Sequence, residues 1–125
     1  MAMSKHSDVR YGIAKRIFRY LREKVGGLKG FYIYGSTARG DAGPASDIDL
    51  VIIHENKKQV RQILETLDEQ LTATFNERNN VKIRRLLHAC VCSEADIAAG
   101  RPCTTIIHSL FNPPLPLQKY GKKIA

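Results

Sequence analysis

The chain has 125 residues, 43% hydrophobic and 26% charged, with a formal net charge of +8. That length and balance fit one globular domain over residues 1–125 with a core of its own, and exclude a disordered or fibrous chain. No apolar run is long enough to span a bilayer, and the N-terminal MAMSKHSD lacks the apolar stretch of a secretory leader. A cytoplasmic protein is therefore expected, with polyanionic partners such as nucleic acid, nucleotides or an acidic protein favoured by the charge.

Ser7 or Asp8 can cap a first helix, in which Val9, Ile13, Ile17 and Leu21 recur every four residues and Tyr20 and Val25 widen the stripe. Arg10, Lys15, Arg16, Arg19, Arg22 and Lys24 fall mainly on the other faces, giving a basic outer side. Gly26-Gly27 ends this helix. Gly30 to Tyr34 (GFYIY) is aromatic and β-branched, which predicts a strand broken at Gly35. A turn or helix start follows at Ser36 to Arg39, then a loop rich in Gly, Pro, Ala and Ser up to Ser46. Asp47 to Ile53 reads as a second strand. Asn56 to Phe75 reads as a long helix with Val60, Ile63, Leu64, Leu67 and Leu71 on one face, closed by a turn at Asn79-Asn80. Val81 to Cys92 (VKIRRLLHACVC) reads as a third strand with a bend near Leu86. Ser93 with Asp96 has the pattern of a capping box for a short helix that stops at Gly100. Cys103 to Leu110 fits a helix or a strand, the prolines of Asn112 to Leu117 force extended chain, and residues 118–125 read as a loose basic tail. The predicted class is α/β (α+β): a small mixed β-sheet flanked by helices.

The three cysteines, Cys90, Cys92 and Cys103, are odd in number and form no CxxC, so reduced thiols are expected. His88, Cys90 and Cys92 share one face by strand alternation, but C-x-C with a histidine on one strand is not a zinc-loop spacing, and buried structural cysteines fit better. Lys82, Arg84 and Arg85 form a basic cluster that suits either a solvated strand edge or contact with RNA or an acidic protein.

The chemistry concentrates in YGSTARGDAGPASDIDLVI, Tyr34 to Ile52. Alternation points Asp47 and Asp49 to one face, with Cα atoms about 6–7 Å apart. Two carboxylates that close repel when both are ionised, and a divalent cation removes the conflict; oxygen donors of this kind suit Mg²⁺ or Mn²⁺. Upstream, Gly35 permits a tight turn and close backbone approach, and Ser36 adds a hydroxyl and a backbone N–H able to hold phosphate. Together these predict a site for a nucleoside triphosphate with its metal.

This stretch resembles the signature of the polymerase-beta-type nucleotidyltransferase superfamily, and is most similar to the small prokaryotic minimal nucleotidyltransferases, whose pattern GSxARGxxxxxSDIDLxV it follows closely. The resemblance implies the nucleotidyltransferase fold and a transferase that moves a nucleotidyl group from an NTP, with ATP the expected substrate, to a hydroxyl. It implies that Gly35 and Ser36 hold the triphosphate and that Asp47 and Asp49 bind metal. Arg39 and Ser46 also match the pattern: Arg39 either reaches a phosphate or pairs with Asp41, and Ser46 either joins the nucleotide site or orients the loop before Asp47. Many minimal members are antitoxins of toxin–antitoxin pairs that modify a helical HEPN-type toxin on tyrosine, so the implied acceptor is such a protein or an RNA. Templated synthesis is disfavoured, because the chain is too short for the second domain that larger polymerases use to grip nucleic acid.

Active members of the superfamily carry a third carboxylate on a later strand. Matching the end of LHACVCSEADI to that strand places His88 at this position, and no Asp or Glu occurs between Glu77 and Glu94. In two-metal phosphoryl transfer the third acid serves mainly the second metal and the attacking hydroxyl, so its loss should spare nucleotide binding and slow transfer. Imidazoles titrate near neutrality, so His88 fits a general base, although imidazole is a poor Mg²⁺ ligand; a sheet histidine without a role is the alternative. Two further readings stand beside the enzyme: a degenerate nucleotide- or partner-binding protein of the same fold, and a small basic RNA-binding module, which leaves Asp47 and Asp49 unexplained.

Overall fold

The first helix, α1 (Lys5–Lys24), is capped by Ser4, whose side chain accepts from the Ser7 N–H. Its buried face is Ser7, Arg10, Ala14, Ile17 and Leu21, and Val9 is 49% exposed. A repeat of four drifts around a helix of 3.6 residues per turn, whereas alternating steps of three and four hold one face. The packed stripe therefore runs through Arg10 and Ala14, and Arg10 leaves the basic outer side for the interior. We describe residues 3–101, 104–107 and 113–121 of this computed structural model.

Strand β1 (Gly30–Tyr34) runs directly into the short helix α2 (Gly35–Arg39). After the loop 40–47 come β2 (Ile48–Ile53), the long helix α3 (Lys57–Asn79) and β3 (Leu87–Cys92). The short helices α4 (Glu94–Ala98) and α5 (Thr104–Ile107) precede β4 (Leu115–Gln118). The strands form one mixed sheet in the order β3-β2-β1-β4, with β2–β3 parallel and both pairs involving β1 antiparallel. Pro116 is tolerated because β4 is an edge strand. This is the expected class, a small mixed sheet with helices.

Alternation sorts the side chains onto two faces. Phe31, Ile33, Ile48, Leu50, Ile52, Leu87 and Val91 pack with Ala14, Ile17 and Leu21 of α1 and Val60, Leu64 and Phe75 of α3. Each fully buried aliphatic side chain here contributes roughly 1.5–3 kcal/mol. Tyr32, Val51, Ile53 and Cys92 point to the opposite face, where Ile97, Ile106, Ile107 and Tyr120 cover them. Beyond β4, the Tyr120 N–H donates to the Tyr32 hydroxyl at 2.7 Å and the Tyr120 hydroxyl donates to Glu94 at 3.0 Å. The segment after β4 is thus tied to the sheet as far as Tyr120; the rest of the expected tail, 122–125, lies outside the described residues.

The third strand is shorter than its sequence suggests. The backbone of Ile83 and the Leu86 N–H bond to α3 side chains, and the link to the sheet is the Leu86 carbonyl, which accepts from the Ile48 N–H at 2.7 Å. Asn76 accepts from the Ile83 N–H at 2.9 Å and donates to its carbonyl at 2.8 Å, while Asp68 accepts from the Leu86 and Leu87 N–H groups at 3.1 and 2.9 Å. The helix end also differs: α3 continues past Phe75 to Asn79 and stops on Asn80 in the left-handed region. The capping box at Ser93 and Asp96 forms as expected. Asp96 also pairs with Lys57 and Arg101, and the Lys57 hydrogen bond, with the Ser93 N–H, holds its carboxyl well below the usual range. Cys92 is a free buried thiol, but Cys90 is disulfide-bonded, so the expectation of reduced thiols fails at Cys90. Cys103 lies outside the described residues.

Candidate active site

Register assembles the site. Tyr34 of β1 pairs with Asp49 of β2, and Asp49 pairs with His88 of β3, so these three side chains form one row across three strands on the face opposite α1 and α3. Asp47 stands one step before β2 on the same side. Asp47, Asp49 and His88 each offer one ligand atom, and these atoms all lie within 4.8 Å of one another. Among the described residues this is the one grouping of three or more acidic, histidine or cysteine side chains that could hold a metal ion. The sequence-predicted pair and the third-position histidine do converge.

Gly35 supplies the space for this cluster. Its φ is +69°, and a Cβ there would lie 2.3 Å from Asp49 Oδ2 and 3.2 Å from Asp49 Cγ. The Asp49 carboxylate therefore occupies the place where any other residue would carry its side chain. The sequence reads Gly35 as a tight turn and close backbone approach at a phosphate seat; the structure adds a further reason for glycine, which the strand register reveals. Ser36 follows at the start of α2, half-buried, with its carbonyl accepting from the Gly40 and Asp41 N–H groups at 3.0 Å each. This closes the tight turn that begins the loop.

The loop 40–47 has no regular structure of its own and is stitched to α1. Ser4 N–H donates to the Gly40 carbonyl at 2.9 Å, Ser4 Oγ donates to the Ala42 carbonyl at 3.0 Å, and Ser7 Oγ accepts from the Ala42 N–H at 2.9 Å. Arg10, with 0% exposure, completes the seam: Nε donates to the Ser46 carbonyl at 2.8 Å, Nη2 to Pro44 at 3.1 Å and Nη1 to His6 at 3.1 Å. Its guanidinium also stacks over the Phe75 ring at 4.9 Å. Burial pulls the Arg10 pKa down while Asp47 pushes it up, which places the buried cation within electrostatic reach of the first aspartate. Sequence reasoning missed Arg10 because it counted the residue among solvated charges; the three-four spacing of Ser7, Arg10 and Ala14 was the available signal.

Ser46 Oγ accepts from the Gly43 N–H at 2.9 Å, so of its two sequence readings the structure displays the loop-orienting one. Arg39 Nε donates to Asp41 at 3.3 Å on an exposed surface, and its charge acts favourably on Asp49. Burial raises the Asp49 pKa above the usual carboxylate range and Asp47 adds to this, while the His88 hydrogen bond opposes it. Burial, with Asp49 and Asp47, likewise pushes the Tyr34 phenol up. A half-buried carboxylate that resists ionisation beside a second carboxylate is the electrostatic condition a dication relieves. The donor set thus fits a metal: two carboxylates and an imidazole converge where negative charge is unfavourable.

A sequence model of the nucleotidyltransferase domain matches residues 14–105, which run from the middle of α1 into α5 and include every residue of the cluster. The chain belongs to the nucleotidyltransferase domain family. Among solved structures, a Sulfolobus solfataricus protein assigned as a nucleotidyltransferase is similar with a TM-score of 0.46 and 23% identity, over 76% of this chain and 77% of that one. No curated protein sequence matches the chain. Nucleotidyltransferase domains of this family use an NTP and a divalent metal, in keeping with the acidic cluster. No helix among the described residues is long and apolar enough to cross a membrane.

Proposed function

We propose that the chain binds an NTP, with ATP the expected substrate, together with Mg²⁺ or Mn²⁺ and transfers the nucleotidyl group to a hydroxyl on a protein or RNA acceptor. The observation that carries this reading is the meeting of Asp47, Asp49 and His88 within 4.8 Å beside a glycine that gives its side-chain space to Asp49. Asp47 and Asp49 would hold the metal, which when bound offsets charge on the triphosphate and polarises it. Gly35 and Ser36 would present backbone and hydroxyl donors to the phosphates, and Arg39, paired with Asp41 and acting electrostatically on Asp49, would turn to a phosphate oxygen. The acceptor hydroxyl oxygen attacks the α-phosphorus in line, the bond to the β-phosphate bridging oxygen breaks, pyrophosphate leaves and the hydroxyl proton passes to base. The motif's likeness to antitoxin-type members supports a HEPN-type protein as the acceptor and a role in a toxin–antitoxin pair within the cytoplasm.

A second reading is favoured by one feature: the cluster contains two carboxylates and a histidine where active members carry a third acid. On that reading the protein binds nucleotide without efficient transfer. Incubation with α-labelled ATP, Mg²⁺ or Mn²⁺ and a HEPN-type protein or RNA separates the two. Label on the acceptor with wild type and none with Asp47→Asn supports transfer. Metal-dependent ATP binding without label supports the degenerate protein. Absence of metal-dependent ATP binding would sink both.

A further inference from the structure

His88 is the member of the cluster that departs from an all-oxygen site. It stands opposite Asp49 in the parallel β2–β3 register, with Nδ1 3.0 Å from Asp49 Oδ1 and its side chain 65% exposed. As a purely structural pair this contact contributes little, because exposed ion pairs are weak. Its geometry has another meaning. Adjacent donors on an octahedral ion with bonds of roughly 2.1 Å are about 3.0 Å apart, and opposite donors about 4.2 Å. The 3.0 Å contact matches an adjacent pair, and the 4.8 Å limit on the whole cluster lies slightly beyond an opposite pair. An ion held by Asp49 therefore has the His88 nitrogen at the spacing of an adjacent donor, with Asp47 in the same cluster.

We infer that His88 is a metal ligand, and that the set of two carboxylates and one imidazole selects a first-row transition dication over Mg²⁺. Mg²⁺ takes oxygen donors and dehydrates reluctantly, so it gains little from a ring nitrogen. Affinity for nitrogen donors rises along the first-row dications, so the same substitution that weakens a Mg²⁺ site strengthens one for a borderline ion. The neighbouring Arg39 does not replace His88, because it is a cation. The inference rests on the proposed nucleotide–metal site, but concerns which ion that site takes and through which atoms.

The test uses the full chain with Mn²⁺ as the probe, with and without a non-hydrolysable ATP analogue, and reads nitrogen modulation by electron spin-echo spectroscopy. Uniform ¹⁵N labelling of the protein separates imidazole from adenine nitrogens. Wild type should show directly bound protein nitrogen, and His88→Asp should lose it. In competition titrations His88→Asp should lower the preference for Mn²⁺ over Mg²⁺, and should lower that for Zn²⁺ over Mg²⁺ by more. Bound Mn²⁺ without nitrogen coupling, or a preference unchanged in the variant, overturns the inference while leaving the nucleotide reading intact. Nitrogen-coupled Mn²⁺ in a protein that never binds the ATP analogue supports the inference and sinks the nucleotide reading. Wild type that binds no Mn²⁺ overturns the inference.

Discussion

Replacing Gly35 with alanine tests whether the site depends on the space beside Asp49. At φ +69° an alanine takes on left-handed strain of about 1–2 kcal/mol. Its Cβ would sit 2.3 Å from Asp49 Oδ2, more than about 1 Å inside ordinary contact, so the carboxylate must turn. Turning it costs roughly a further 0.5–1.5 kcal/mol and draws Oδ1 away from His88, 3.0 Å off. The total is about 1.5–3.5 kcal/mol of stability, and the displaced ligand should weaken Mn²⁺ binding by about 10–100-fold. Urea unfolding in EDTA reads the first quantity and Mn²⁺ titration the second. Gly40→Ala is the control, because Gly40 has φ +83° but its Cβ would meet Met3 only at an ordinary 3.5 Å. It should show the strain with metal affinity intact. Equal Mn²⁺ affinities in the two variants would refute the crowding of Gly35 against Asp49 as the reason for glycine.

Arg10→Met should destabilise the fold by at least about 2 kcal/mol in urea, since it leaves the Ser46 and Pro44 carbonyls without their donor. Arg10→Lys should recover part of the stability and of the Mn²⁺ affinity, and equal affinity in folded Arg10→Met would show that the seam does not position Asp47. Asp49→Asn should melt higher than wild type at neutral pH in EDTA. A carboxyl whose pKa is raised by folding binds more protons folded than unfolded just above the ordinary carboxylate range, so wild-type stability falls as pH rises through the raised value, and asparagine removes that loss. Melting curves that coincide at neutral pH would contradict the raised pKa. Burial, then Asp96, pushes the Cys92 thiol up to about 11, and it is 2% exposed, so alkylation of Cys92 near pH 8 should proceed only through unfolding. Peptide mapping after iodoacetamide treatment, compared with the urea-unfolded chain, checks this.

Periodicity located α1, β1, β2 and α3, through helical stripes and β-branched runs, and the capping box located α4, although the packed stripe of α1 passes through Arg10 and Ala14 and leaves Val9 exposed. The Gly-Ser and Asp-x-Asp pairs were legible for the same reason: a carboxylate at every second position of an apolar strand contradicts the packing around it. Three features were hidden in the sequence. Arg10 looks like one more surface cation until the buried face is known to pass through it. The stretch 81–86 looks like strand because β-branched Val81 and Ile83 alternate with basic residues, yet Asn76, Thr72 and Asp68 of α3 bond to Ile83 and Leu86 in place of a full ladder. The crowding at Gly35 depends on which residue stands opposite Tyr34, and strand register is set by tertiary pairing that local pattern does not encode.

The row Tyr34–Asp49–His88 draws its members from three strands, and two different kinds of ladder hold it, antiparallel on one side and parallel on the other. A slip of one residue in either ladder would send one or more of these side chains to the opposite face of the sheet. At the proposed site, metal capture would consequently be a digital readout of pairing: an ion would not be gripped by a chain whose strands are nearly, but not fully, in register. Mn²⁺ added during refolding would therefore report the moment at which the central three strands lock, independently of how much helix has already formed.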